Sequence, residues 1–285
     1  MSTRFTILGC GSSGGVPRLG NDWGDCDPAN PLNRRSRCSL LVERTGPGGT
    51  TRVLIDTSPD MRAQLLSAGV GTLDAVAYTH AHADHMHGID DLRQIVFNLR
   101  GRLPVWADAA TQEALLSRFG YAFVQPAGSP YPPILDLYTI DGPVRIEGAG
   151  GEVTLVPFTA GHGPTDALGF RIGGLAYLPD AVTIPDETWP VLAGLQVWIV
   201  DALRRRPHPT HAHLARTLEW IARAAPARAI ITNMHVDLDH AALVAELPAH
   251  IVPAHDGMVI ELPSIEPPAI ELPPIELPPI ELPGD

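Results

Sequence analysis

Short apolar runs alternate with amphipathic stretches along most of the chain, and turn residues mark the joints between them. The runs at 4–8, 38–44 and 51–55 have strand character, and Gly46-Pro47-Gly48-Gly49 predicts a hairpin turn between the last two. Ser58 as N-cap and Pro59 at the first helical position predict a helix that carries Met61, Leu65 and Leu66 and stops at Gly69. An apolar run at 73–78 follows, and then Ile89, Leu92, Ile95, Val96 and Leu99 recur at helical spacing before Gly101. A strand at 103–106 and an amphipathic helix at 111–119 come next. Residues 125–150 are rich in Pro and Gly and predict a loop excursion with short strands. In the second half, a strand at 153–158 precedes a hairpin of 169–172 and 175–178 across Gly173-Gly174. The run at 196–200 is continuously apolar, which predicts a strand buried on both faces. A helix bearing Leu214, Leu218 and Ile221, a buried strand at 228–232, a helix ending at Leu247 and an extended stretch at 251–260 complete the pattern. Strands and helices alternate in two halves, roughly 1–125 and 150–260, and this predicts a layered α/β fold.

Composition changes this picture at the C-terminus. Ile-Glu-Leu-Pro recurs at 260–263, 270–273, 275–278 and 280–283, with Ile265-Glu266-Pro267-Pro268 as a variant, so the repeat has a period of five. Proline at this density excludes helix and interior strand. The expected organisation is one domain at 1–262 and a disordered, non-catalytic tail at 263–285. The chain of 285 residues carries a net charge of −12; six acids and no base lie in 261–285, which leaves −6 for the rest. A mildly acidic body offers no broad basic surface, so nucleic acid is not the expected partner. A phosphate substrate stays open, because metal ions can supply positive charge. The three cysteines, Cys10, Cys26 and Cys38, are odd in number and not closely paired. No apolar run has the length of a membrane span, and Met-Ser-Thr-Arg-Phe does not lead into a signal-like segment. A cytoplasmic protein with reduced thiols is expected, with no membrane partner.

The candidate chemistry gathers where the apolar run at 73–78 ends. His80, His82, Asp84 and His85 fall within six residues, between a strand and a helix. Imidazole is the commonest protein ligand for metals, and a carboxylate completes a set suited to zinc or a similar ion. His80 and His82, two apart, point to one side of an extended segment, and a turn after them brings Asp84 and His85 to an adjacent position. That is a layout for two metals; the plainer alternative is a solvated His-rich loop. Further strand ends add His162 between two glycines, Asp180 after Pro179, and His235 after Asn233-Met234. Asp56, at the end of the 51–55 strand, is placed to support a ligand from behind. His211 and His213 lie near the start of the helix bearing Leu214, where an imidazole suits proton transfer. Arg34, Arg35 and Arg37 are candidates for a phosphate group, the alternative being a solvated loop. Gly9-Cys10-Gly11-Ser12-Ser13-Gly14 matches a dinucleotide fingerprint literally, but Gly15-Val16-Pro17 cannot open the required helix, so the match is rejected. The glycines instead predict a close backbone approach, to the metal site or the substrate.

With His80-x-His82-x-Asp84-His85 followed by His162, Asp180 and His235 in order, residues 4–262 resemble the metallo-β-lactamase fold superfamily. The resemblance implies a four-layer αββα sandwich with two divalent metal ions, Zn or Mn, at one edge. His80, His82 and His162 would hold one ion, Asp84, His85 and His235 the other, and Asp180 would bridge them. Within the superfamily, Gly9 to Pro17, Arg34-Arg35 with Cys38-Ser39, and Asp90-Asp91-Leu92-Arg93 resemble the phosphoribosyl 1,2-cyclic phosphate phosphodiesterase branch. This implies a small-molecule phosphodiester substrate with contacts at Ser12, Ser13, Arg34, Arg93 and His213. Asp84 would orient the attacking water and His211 would protonate the leaving oxygen. A homodimer is the assembly common among such proteins. The branch can carry a structural zinc on a Cys-rich loop, but here that loop has only Cys26 and Asp27. The competing expectations are a tRNA 3′-processing nuclease and a non-catalytic binding protein on the same scaffold. The intact ligand set argues against the binder, and the lack of a long basic arm argues against the nuclease.

Overall fold

The computed structural model describes residues 2–263, and the repeats expected as a tail lie outside them, Pro263 apart. Strands β1 (Ser2–Gly9), β2 (Ser39–Gly46) and β3 (Gly49–Ile55) are antiparallel neighbours. Their alternation sorts the side chains by face: Phe5, Ile7, Leu40, Val42, Val53 and Ile55 enter one core, while Leu8, Leu41 and Leu54 enter another. After α1 (Met61–Ala68), strand β4 (Ala75–Ala77) lies parallel to β3. Helices α2 (Ala83–Met86) and α3 (Leu92–Leu99), strand β5 (Leu103–Ala107), helix α4 (Ala109–Phe123) and strand β6 (Leu135–Thr139) complete this half. Met61, Leu65, Ile95 and Leu115 of α1, α3 and α4 pack with Leu41, Leu54 and Val76, so these helices cover the outer face of the sheet.

The second sheet contains β7 (Val144–Ile146), β8 (Val153–His162), β9 (Thr165–Ile172), β10 (Leu175–Leu178) and β11 (Val197–Asp201). Helix α5 (Leu214–Ala224), strand β12 (Arg228–Thr232), helix α6 (His240–Glu246), strand β13 (Ile251–Pro253) and strand β14 (Met258–Pro263) follow. Every residue of β11 is buried, and the strand pairs in parallel with β10 and β12. Trp220, Ile221 and Leu243 of α5 and α6 join the core between the sheets and their flank. The two seven-stranded sheets run β14-β1-β2-β3-β4-β5-β6 and β13-β12-β11-β10-β9-β8-β7. The result is an αββα sandwich.

Three boundaries differ from expectation. Helix α1 starts at Met61, later than expected: Ser58 gives its carbonyl to the Met61 amide, and its hydroxyl accepts from the Asp60 amide at 3.2 Å while donating to Gln64 Oε1 at 2.8 Å. The Pro/Gly-rich stretch divides, with β6 at the edge of the first sheet and β7 at the edge of the second. The extended C-terminal stretch also divides: β13 joins β12, but β14 crosses to pair antiparallel with β1. The crossing residue Asp256 is held by the Cys10 amide (3.1 Å) and by the Ser36 amide and hydroxyl (2.7 and 2.6 Å). The glycine-rich loop after β1 opens no helix. At Gly11 a Cβ would lie 2.9 Å from the Arg35 carbonyl, so the close approach there is to the 35–37 backbone and not to the metal site.

Candidate metal centre

Each candidate ligand sits where an element ends on one edge of the sandwich. His80 and His82 follow β4, and the short helix α2 turns Asp84 and His85 back beside them. His162 is the last residue of β8, and Asp180 comes two residues after β10. Gly163 (φ 73°) makes the turn after His162, and a Cβ there would strike the Thr210 side chain at 2.4 Å. One ligand atom from each of His80, His82, His162 and Asp180 lies within 4.8 Å of the others. His82 Nδ1 is 3.0 Å from His80 Nε2 and 3.1 Å from His162 Nε2. Asp180 Oδ2 is 3.7 Å from His80 Nε2 and 3.5 Å from His162 Nε2. Its other oxygen, Oδ1, faces His85 Nε2 at 3.3 Å, and Asp84 Oδ2 approaches the same nitrogen at 3.6 Å.

The backing of these imidazoles fixes which nitrogen is free. His85 Nδ1 donates to Asp56 Oδ2 at 2.8 Å, and Asp56 also accepts from the amide and hydroxyl of Thr79, each at 2.8 Å. With its own proton given to Asp56, the Thr79 hydroxyl accepts from His80 Nδ1 at 3.0 Å. His162 Nδ1 donates to the Thr210 carbonyl at 2.7 Å. His80 and His162 therefore spend their proton away from the cluster and turn a lone pair toward it, the tautomer a metal requires, and His85 reaches the same arrangement once Nε2 gives up its proton. His85 Nε2 is buried and has no hydrogen-bond partner, although a buried nitrogen is ordinarily satisfied. The donor set fits a divalent ion on both counts.

The charges differ between the two buried imidazoles. Burial, together with His85, holds the His80 imidazole well below its usual value, so it is neutral and ready to ligate. Burial works against a charge on His85, but Asp180, Asp56 and Asp84 around it hold the ring well above its usual value. Asp180 is likewise kept ionised against its burial, by His85 first.

His235 follows β12 and is not among the four clustered ligands. Its Nδ1 donates to Asp237 Oδ1 and its Nε2 faces Arg18 Nη1, each at 3.3 Å. The proton again points to a carboxylate, so Nε2 carries the lone pair. His211 adjoins the cluster, its ring centroid 4.5 Å from that of His162. Its Nδ1 lies 3.0 Å from Asp201 Oδ2 and 3.8 Å from Asp180 Oδ2. Burial pushes the Asp201 carboxyl up to about 6, and the carboxylates around His211, Asp201 first, overcome burial to raise its imidazole to about 9. Asn233 donates to Asp180 (3.3 Å) and Asp201 (3.2 Å), tying the two carboxylates together.

The expected substrate contacts are placed differently. Ser12 is buried, its amide on the Met234 carbonyl, which ties its loop to the end of β12; Ser13 is exposed. Arg34 lies over the Trp23 ring at 5.2 Å. Arg93 pairs with Asp90 at 3.0 Å and lines a groove between α1 and α3 whose walls include none of the ligands. His213 occupies the N-cap position of α5. Of the other arginines, Arg35 is buried with its guanidinium on the Leu238 and His235 carbonyls (2.6 and 3.3 Å), and Arg37 pairs with Asp60 at 2.9 Å. Arg35 thus steadies the His235 loop and is not available to a phosphate. Asp201, Asn233, Asp237 and Arg18 carry no motif. The one signal in the sequence was an acid closing an otherwise apolar strand, which is Asp201.

A family model for the beta-lactamase superfamily domain matches residues 51–236. An octanoyltransferase of Porphyromonas gingivalis is 34% identical over 262 residues, covering 90% of this chain but 51% of that protein, so the chain spans about half its length. A ribonuclease Z of Bradyrhizobium diazoefficiens is 29% identical over 222 residues, covering 60% of this chain and 70% of that one. Among solved structures, a diphosphatase from the PhnP family superimposes with a TM-score of 0.82 at 36% identity, over 92% of this chain and 98% of that one. With the αββα fold and the His/Asp cluster at its edge, these similarities establish that the chain belongs to the metallo-β-lactamase superfamily.

Proposed function

We propose that the chain is a two-metal phosphodiesterase acting on a small cyclic or linear phosphodiester of the phosphoribosyl cyclic phosphate kind. One observation carries this: the two oxygens of Asp180 face different imidazole groups, Oδ2 toward His80 and His162 and Oδ1 toward His85. A carboxylate so placed serves two neighbouring ions. His80, His82 and His162 would hold one, and Asp84, His85 and His235 the other, with zinc or manganese both suited to the donors. The similarity to a PhnP-family diphosphatase, which covers nearly all of both chains, supports phosphoryl chemistry.

When bound, a pair of divalent ions lowers the pKa of water and offsets charge on phosphoryl oxygens. The side chains supply the rest. Asp84, partly exposed, is the carboxylate able to accept a hydrogen bond from the attacking water and so to orient it. His211 keeps a proton on Nδ1 through its pairing with Asp201, which leaves Nε2 as the nitrogen that would protonate the leaving oxygen. Asp201 keeps the ring in that tautomer.

The test is hydrolysis of bis-p-nitrophenyl phosphate by the zinc- or manganese-loaded protein, then a panel of cyclic ribose phosphates, cyclic nucleotides and precursor tRNA. Turnover of the small diesters is expected. Cleavage confined to precursor tRNA would favour the second reading, a ribonuclease Z-type nuclease, which the 29% similarity to a ribonuclease Z supports. No hydrolysis of any diester by a fully loaded protein would reject both.

A further inference from the structure

Arg18 opens a small hairpin beside the segment that carries His235. Its amide donates to the Asp22 carbonyl at 2.9 Å and its carbonyl accepts from the Asp22 amide at 3.2 Å. Leu19, Gly20 (φ 88°) and Asn21 (φ 61°) turn the chain between them. The loop is fixed to residues 234–236 on either side of this hairpin. The Ser12 amide donates to the Met234 carbonyl at 3.3 Å, and the Asp25 amide donates to the Val236 carbonyl at 2.8 Å. At Gly24 a Cβ would lie 2.7 Å from the Val236 carbonyl oxygen, so the two segments touch closely. The position of Arg18 relative to His235 is therefore built into the backbone.

Asp22 takes two nitrogens of the Arg18 guanidinium: Nε donates to Oδ2 at 2.9 Å, and Nη2 donates to the same oxygen. Asp22 Oδ1 is held in turn by the Gly24 amide at 3.0 Å. The remaining nitrogen, Nη1, faces His235 Nε2 at 3.3 Å. A guanidinium can only donate, so Nε2 offers its lone pair and the ring proton lies on Nδ1, toward Asp237 Oδ1. A metal ion at His235 needs that same lone pair. Arginine stays charged across the working pH range and repels a dication besides. Of the seven candidate ligands, His235 is the one, among the described residues, whose free ring nitrogen meets a guanidinium.

We propose that Arg18 competes with the second metal ion for His235 Nε2 and so sets the order of loading. The ion of His80, His82 and His162 enters first. The ion of Asp84, His85 and His235 enters second, as the guanidinium withdraws toward Asp22. The proposal rests on the two-metal reading and adds a condition to it. His80, His82, His162 and Asp180 cluster without Arg18, so the first ion displaces no side chain. The second displaces one, which keeps its two contacts with Asp22. Arg18 is a positioning residue: it touches a ligand and not the reacting atoms.

Zinc titration of the full chain against a competing chelator, with bound metal counted by elemental analysis, resolves the two affinities. The wild type should fill its first site more tightly than its second. Arg18→Met should strengthen the second site by about tenfold and leave the first unchanged; this is the low end for a charged hydrogen bond, because Arg18 and Asp22 are half exposed. Arg18→Lys keeps the charge and should stay within about threefold of the wild type. Asp22→Asn loosens the hairpin but keeps the guanidinium, so it should not strengthen the second site. A second site that Arg18→Met leaves unchanged, or one as tight as the first in the wild type, would overturn the competition. So would an equal gain in Asp22→Asn, which would trace the effect to a loosened hairpin. One ion at saturation in the wild type and two in Arg18→Met would support it. One ion in both proteins would refute the two-metal reading, and the proposal with it; two ions bound equally well in both would refute the proposal alone.

Discussion

Asp56→Asn puts the backing of the metal site to a quantitative test. Asp56 is fully buried and its backbone is left-handed (φ 63°), a conformation that Asn tolerates, so the backbone is not the perturbation. The carboxylate accepts three hydrogen bonds, from the Thr79 amide, the Thr79 hydroxyl and His85 Nδ1, all at 2.8 Å. The amide turns one acceptor atom into a donor: with NH2 in place of Oδ2, the Thr79 hydroxyl and His85 Nδ1 both lose their acceptor, and with NH2 in place of Oδ1, the Thr79 amide loses its own. A buried group left unpaired costs about 1–3 kcal/mol. For a domain of this size, that is a fall in Tm of about 3–10 °C. A second consequence is larger for function. A donor facing His85 Nδ1 favours the other tautomer, with the proton on Nε2, where it blocks the metal. Loss of such backing contacts typically weakens metal affinity by about 10- to 100-fold. Calorimetry on the metal-free protein gives the first quantity, and zinc titration against a competing chelator gives the second. A variant that matched the wild type in both Tm and zinc affinity would refute the assignment of Asp56 as the support of His85.

Other consequences follow from the same contacts. Replacing Asp201 with Asn removes the main group that raises His211, so the imidazole falls toward its ordinary value, with Asp180 and Asp84 still opposing burial. An acid must stay protonated to act, so activity is lost as pH rises through its pKa. Bound dications oppose the raised value, so the alkaline limb of kcat in the wild type lies at or below 9, and it should move to lower pH in Asp201→Asn with metal content unchanged. A limb that stays in place would remove His211 as the acid. Metal uptake should release protons, because His85 is held protonated by its three neighbouring carboxylates and must give up that proton to ligate. Zinc binding should therefore strengthen with pH, and titrations in buffers of different ionisation heat should give different apparent enthalpies; identical heats would contradict this. Arg35→Met strips donors from the Leu238 and His235 carbonyls and should cost about 2–4 kcal/mol by denaturant melt, whereas a phosphate-binding role would have left stability unchanged.

Sequence pattern located nearly every element of the sandwich, because its strands are short, apolar and closed by glycine or proline. It missed the crossing of β14 to the first sheet. The 251–260 stretch reads as one extended run, and only the buried anchor at Asp256, on Cys10 and Ser36, makes the chain change sheets there. The ligand motif was legible because metal chemistry demands particular residue types at strand ends, and the role of Asp56 followed from its place at such an end. Asn233 was not legible, because nothing local distinguishes it from a turn residue, and Asp201 showed only as the acid that closes an apolar strand. The arginines at 35 and 37 misled for the converse reason: a charged cluster suggests a ligand, yet Arg35 is spent on backbone carbonyls and Arg37 on Asp60.

The central claim is that Asp180 stands between two metal ions. Crystals of zinc- or manganese-loaded protein, measured across the absorption edge of the metal, test it directly through the anomalous signal. Two peaks are expected on either side of the Asp180 carboxylate, one among His80, His82 and His162 and one among Asp84, His85 and His235. A single peak at full loading, or a second peak that leaves His85 and His235 without metal, would contradict it.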